Sequence, residues 1–171
     1  MIRSCMTPHG RLATGLAILL NATLLADLTF AAEKSATISR FRWNSSTIPV
    51  CWENPSPDDA TQRELVRQAV SATWEKYSAV RLVGWQTCVP NQHAVWIRTG
   101  DSEWPRAQIG RTAQGTSPTM FLNHHPSRHP AFSSCNGRDD DCVQRIGVHE
   151  FGHVLGLIHE QDRPDNSPDC E

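Results

Sequence analysis

The chain lacks an excess of either charge, an internal repeat, a low-complexity tract and a clean apolar run of membrane-spanning length. Sixteen Lys and Arg against 18 Asp and Glu leave a formal net charge of −2. That balance offers no basic face for nucleic acid or acidic lipid. There is no glycine-rich phosphate loop, and no serine or cysteine stands in the local context of an activated nucleophile. What is present is ordinary globular material: 171 residues, 39% hydrophobic and 20% charged. Such a chain has enough apolar surface for one domain with a modest core, and too little for two.

One apolar stretch does stand out near the start, Leu12 to Leu28, preceded by Arg3, His9 and Arg11. Asn21, Thr23 and Asp27 interrupt it, which leaves it too short and too polar to span a bilayer well. Thr29-Phe30-Ala31 places small residues at the −3 and −1 positions of a signal-peptidase site. Residues 1–31 are therefore expected to be a cleaved signal peptide, and the mature protein to be secreted or periplasmic with no stable membrane association. Export turns the cysteines into disulfide candidates. Cys5 leaves with the signal. Cys135 and Cys142 bracket a short polar turn and form the expected local pair. Cys51 with Cys88 would tie the first two strands together, and Cys170 is left without a partner.

Residues 32–46 read as a polar, loose leader, and residues 47–171 as the domain. Ile48 to Trp52 has the composition of a short strand, with Pro49 suited to an edge or a strand start. Asn54-Pro55-Ser56-Pro57 ends it. A helix then begins either at Ser56 with Pro57 in its first position, or at Thr61 with Glu64 as a capping box. Leu65, Val66, Ala69, Val70, Thr73, Trp74 and Tyr77 recur at helical spacing and give one apolar, core-facing stripe. Arg81–Trp85, Ala94–Thr99 and Thr119–Asn123 read as strands, rich in Val, Ile and aromatic residues. Gly100–Pro105 and Gly110–Pro118 read as loops with a short strand between them, and His124–Arg138 as a loop. A second helix is expected from near Asp141 to about Leu155, with Asp139 to Asp141 favoured at its positive end. The order of elements points to an α+β domain.

The second helix carries the chemistry. Residues 149–160 read HEFGHVLGLIHE. His149 and His153 are four apart, so their imidazoles leave one helix face together and can share a metal ion. Glu150 is adjacent, where a carboxylate can take a proton from a metal-bound water and return it to a leaving amine. Gly156 follows three residues after His153 and tolerates the left-handed conformation that stops a helix. Such a turn would bring His159 back to the metal. Three neutral imidazoles with an open fourth position suit catalytic Zn2+, one per chain, better than a closed structural site.

This pattern, HExxHxxGxxH, resembles the zinc signature of the metzincin metalloproteases. Its continuation, His159-Glu160-Gln161-Asp162-Arg163-Pro164-Asp165, is similar to the astacin branch. Ile48-Pro49-Val50-Cys51-Trp52 and Thr73-Trp74-Glu75 are similar to bacterial astacin- or matrixin-like secreted peptidases. The resemblance implies a metzincin-like N-terminal subdomain with a twisted mixed sheet and two long helices above a cleft. It implies His149, His153 and His159 as zinc ligands, Glu150 as general base, and a protein or peptide substrate. It also implies that Thr119–Asn123 is the edge strand that pairs with an extended substrate, and that Glu160 contacts the N-terminus of an activated enzyme. Metzincins carry a methionine turn downstream of the third histidine, whereas Met1, Met6 and Met120 all lie upstream. A missing C-terminal subdomain is the expectation. The function expected is a secreted zinc endopeptidase, and the alternative is a protease remnant or zinc-binding module without turnover. A disulfide-stapled binding domain without zinc is a third reading. His124, His125 and His129 form a second cluster, read as an exposed loop, and His93 stands alone.

Overall fold

A computed structural model of the chain describes residues 39–159 and 162. The expected signal peptide, Cys170 and Glu160 lie outside the described residues. The strands are β1 (Thr47–Trp52), β2 (Arg81–Thr87), β3 (Ala94–Thr99), β4 (Arg106–Ala107), β5 (Gln114–Gly115) and β6 (Met120–Leu122). The helices are α1 (Ala60–Val70) and α2 (Asp139–Val154). The expected elements are all present, and β5 is an addition. The sheet is mixed and ordered β2-β1-β3-β6-β4, with β5 pairing β3. Strands β1, β2, β3 and β6 are mutually parallel, while β4 runs antiparallel to β6. This α+β architecture is the one expected.

Pro49 is tolerated because the β1–β3 ladder starts only at Val50, so β2 alone flanks β1 at the proline. Strand β2 runs past Trp85 to Thr87 through a bulge opposite Val50 and Cys51. Gly84 at φ 104° and Trp85 at φ 62° take up the extra residue. The bulge aims the Trp85 ring inward, 5.4 Å from Phe151 of α2 and 5.9 Å from Trp52.

Helix α1 uses the first of its two possible starts. The Asp59 carboxylate accepts from the Ser56 N–H at 3.1 Å, the Ser56 hydroxyl caps Asp58, and Pro57 sits at the first helical position. The apolar stripe ends sooner than its spacing implies. Ser71–Glu75 widens into a π-turn, which rotates the following residues around the axis. Trp74 therefore packs on α2, and Tyr77, expected on the core face, is 78% exposed with Lys76 over its ring.

Two expectations need correction. Thr119–Asn123 is not an edge: β6 lies between β3 and β4, with Met120 opposite both Ile97 and Ala107. The edge strand is β4, the short strand expected between Pro105 and Gly110. The second half of the leader is not loose either. Ser39–Phe41 forms a 3-10 turn, the Arg111 guanidinium donates to the Arg40 carbonyl, and Trp43 packs against the core.

The core joins Ile48, Val50, Val95 and Ile97 of the sheet to Val66 and Val70 of α1 and to Val143, Phe151 and Val154 of α2. Full burial of each such side chain contributes about 1.5–3 kcal/mol. The helices approach closely at Gly147, where a Cβ would meet Val66 Cγ1 at 3.0 Å. Both expected disulfides are formed, Cys51–Cys88 and Cys135–Cys142. The first closes the larger loop, 37 residues against 7. Chain entropy then assigns it roughly 4 kcal/mol against about 2 for the second. Replacing Cys51 and Cys88 together by Ser should therefore lower the denaturant midpoint more than replacing Cys135 and Cys142, measured by urea unfolding with the other bridge intact.

Candidate metal centre

The site is made by the C-terminal half of α2 and the turn that ends it. His149 and His153, one helical turn apart, have ring centroids 4.8 Å apart. Gly156 adopts φ 102°, a left-handed conformation that closes the helix with Leu157 N–H donating to the Gly152 carbonyl. The reversed chain delivers His159. Its Nε2 lies 3.3 Å from His149 Nε2 and 3.1 Å from His153 Nε2. Zinc bound tetrahedrally at about 2.0–2.1 Å from each nitrogen needs ligand atoms about 3.3 Å apart. Both measured separations meet that requirement. Among the described residues, these histidines are the group of three or more His, Cys, Asp and Glu side chains placed to share an ion.

The surroundings prepare the rings for a metal. His153 Nδ1 lies 2.8 Å from the Leu157 carbonyl. A carbonyl can only accept, so Nδ1 carries the proton and Nε2 presents its lone pair. His159 Nδ1 faces Asp162 Oδ2 at 3.5 Å, the same arrangement at longer range. Burial, and the proximity of His153 and His159, lower the pKa of His149 and favour its neutral form. Glu150 is 4% exposed, and its Oε2 is buried without a hydrogen-bond partner. Burial pushes its pKa up to about 7. An orphaned carboxylate oxygen beside three convergent imidazoles is what a metal-and-water site requires of its neighbours.

The histidines open into a cleft of about 680 Å3 between α2 and the edge strand β4. Arg106 and Ala107 of β4 line one side, and Arg145, Ile146, His149 and Glu150 of α2 line the other. Trp104 and Phe132 stand at one end, ring centroids 5.2 Å apart, with Trp104 58% exposed. Sequence reasoning missed this aromatic pair, because two aromatics from separate loops carry no periodicity.

The second histidine cluster is corrected in part. His124 is buried, not exposed, with Nδ1 3.1 Å from Asp59 Oδ2 and Nε2 unpartnered. Burial holds its pKa down at about 4 in spite of the Asp101 charge, so the ring is neutral near pH 7. Asp101 in turn accepts from the backbone N–H groups of His124 and His125. His129 meets Trp104 edge to face with ring centroids 5.0 Å apart, and His93 is exposed. The cluster holds a loop together and does not converge as ligands. Asp139 is also committed, accepting from the Ser127 N–H and hydroxyl at 2.8 Å each.

No protein-family model matches the chain. It is 31% identical over 132 residues to the zinc metalloproteinase nas-30 of Caenorhabditis elegans, covering 77% of this chain and 14% of nas-30. Its fold is similar to that of myroilysin in two solved structures, both at 20% identity. One has a TM-score of 0.55 and covers 77% of this chain and 58% of that one; the other has 0.52, 82% and 59%. The chain thus spans about one seventh of the curated relative. Sequence and fold together support a metzincin-type zinc-protease scaffold, as the zinc signature implied.

The buried neutral His124 has a consequence for stability. In the unfolded chain a histidine protonates below about 6.5, while in the fold it resists down to about 4. Stability should therefore fall as pH drops through that window and level off below it, by about 2–3 kcal/mol from this group. His124→Asn keeps a polar side chain beside Asp59 without the titration. Its metal-free stability, from urea unfolding between pH 7 and pH 4, should fall less steeply than that of the wild type.

Proposed function

We propose that the chain is the zinc-bearing part of a secreted endopeptidase that hydrolyses peptide bonds with a metal-activated water. The observation that carries this reading is the convergence of three imidazole nitrogens beside a buried carboxylate on a cleft edged by a strand. His149, His153 and His159 would hold one Zn2+ per chain, leaving a fourth position open to water. When bound, the zinc supplies a Lewis acid for the scissile carbonyl and lowers the pKa of its water.

The chain's own residues account for the rest. Glu150 holds the water by its free oxygen, accepts its proton, and passes that proton to the leaving amine. Burial suits Glu150 to the task, since a base drawn toward neutrality can both accept and release a proton near pH 7. An extended protein or peptide substrate lies along β4, adding a strand to the sheet through main-chain hydrogen bonds. This role passes to β4 from β6, because β4 has the unpaired side and lines the cleft. The two disulfides favour an oxidising, extracytoplasmic compartment. No helix among the described residues is long and apolar enough to cross a membrane.

Glu150→Gln tests the chemistry apart from the metal. The variant should bind one zinc with wild-type affinity, measured by calorimetric titration, and lose at least about 100-fold in cleavage of an unfolded protein. Retained cleavage contradicts the general-base assignment. A wild type that binds zinc and cuts nothing supports a zinc-binding module instead.

A further inference from the structure

The last four carbonyls of α2 can each be traced. Phe151 O accepts from Leu155 N at 2.9 Å, Gly152 O from Leu157 N at 3.0 Å, and His153 O from Gly156 N at 2.8 Å. The helical ladder thereby satisfies the first, and the turn at Gly156 the next two. The fourth, Val154 O, accepts the indole N–H of Trp43 at 2.6 Å, across 111 residues of sequence. Trp43 belongs to the segment that precedes β1.

That segment is held from a second side. Gly110 adopts φ 57°, and a Cβ there would lie 2.0 Å from the Phe41 carbonyl. The Arg111 guanidinium donates to the Arg40 carbonyl at 3.0 Å. Trp43 is half-buried against the core between these anchors and β1. Its indole thus bridges a fixed segment to the last residue of the helix. Two residues beyond that carbonyl lies Gly156. One residue further on is Leu157, whose carbonyl orients His153, and then comes His159 itself.

Trp96 provides an internal control. Its indole N–H also donates to a main-chain carbonyl, Gln92 O, at 2.7 Å. Trp96 belongs to β3 and lies outside the core that packs on α2, so the bond it makes is of the same kind at a place remote from the Gly156 turn.

We propose that Trp43 is a positioning residue for the metal centre: its indole N–H fixes the end of α2, and so the turn that places Leu157 O and His159. The proposal rests on the reading of His149, His153 and His159 as a zinc site. It makes the segment before β1 part of the metal centre's support, so that a change in that segment alters metal binding without touching a ligand.

The test uses the full chain titrated with Co2+ in place of Zn2+, read by the visible d–d absorption of the bound ion. Trp43→Phe keeps most of the ring and removes the donor. A benzothienylalanine at position 43, which puts sulfur in place of the N–H at nearly constant shape, serves if the phenylalanine variant folds poorly. Loss of an outer-sphere partner typically weakens metal binding by about 10–100-fold. Trp43→Phe should therefore bind Co2+ at least about 10-fold more weakly, with an altered d–d band, while Trp96→Phe binds as the wild type does. Metal-free melting temperatures of the two variants provide the comparison for stability alone. Wild-type affinity and spectrum in the position-43 variants overturn the role, and so does equal weakening by Trp96→Phe. A wild type that binds no Co2+ removes the zinc reading itself and this role with it.

Discussion

The site depends on how one helix ends. Two of the three imidazoles are fixed by helical geometry alone, but the third arrives only if α2 stops at Val154 and reverses at Gly156. A residue with a Cβ is strained at φ 102°, and a helix that continued would carry His159 away from the other two. The same reversal delivers Leu157 O to His153 Nδ1, so the turn places one proposed ligand and orients another. Much of the remaining structure serves to hold α2 in position. Gly147 lets α1 approach, Trp85 turns inward from its bulge onto Phe151, and Trp43 and Trp74 donate to α2 carbonyls.

Sequence reasoning reached the metal centre because that centre is local. His149, Glu150, His153, Gly156 and His159 fall within eleven consecutive residues, where spacing on a helix fixes direction. The strands that alternate or cluster β-branched residues were equally legible, as were both disulfides once export was inferred. What escaped was set by contacts between distant segments. The short strand between Pro105 and Gly110 was legible, but its place at the sheet edge beside β6 was not. The π-turn after α1 exposes Tyr77 against its helical spacing, and no local signal distinguishes that widening from a regular helix. His124 looked exposed among prolines, yet Asp59 and Asp101 draw it inside. Trp43 looked like part of a polar leader because its partner lies 111 residues away.

The chemistry of the cleft rests on nitrogen separations of 3.1 and 3.3 Å, a carboxylate oxygen without a partner, and an edge strand on the far side. These features are the ones on which the proposed tetrahedral cation and the water beside Glu150 rest. They also give the cleft a floor in α2 and a wall in β4 from this chain alone.

The central claim is that three imidazoles, and no sulfur, hold a zinc ion at the end of α2. X-ray absorption at the zinc K-edge of the zinc-loaded full chain tests it most directly. The account predicts one zinc per chain with a nitrogen and oxygen shell at about 2.0–2.1 Å, multiple scattering from three imidazoles, and one fewer imidazole in His159→Ala. A sulfur shell at about 2.3 Å, or a His159→Ala spectrum identical to the wild type, would contradict it.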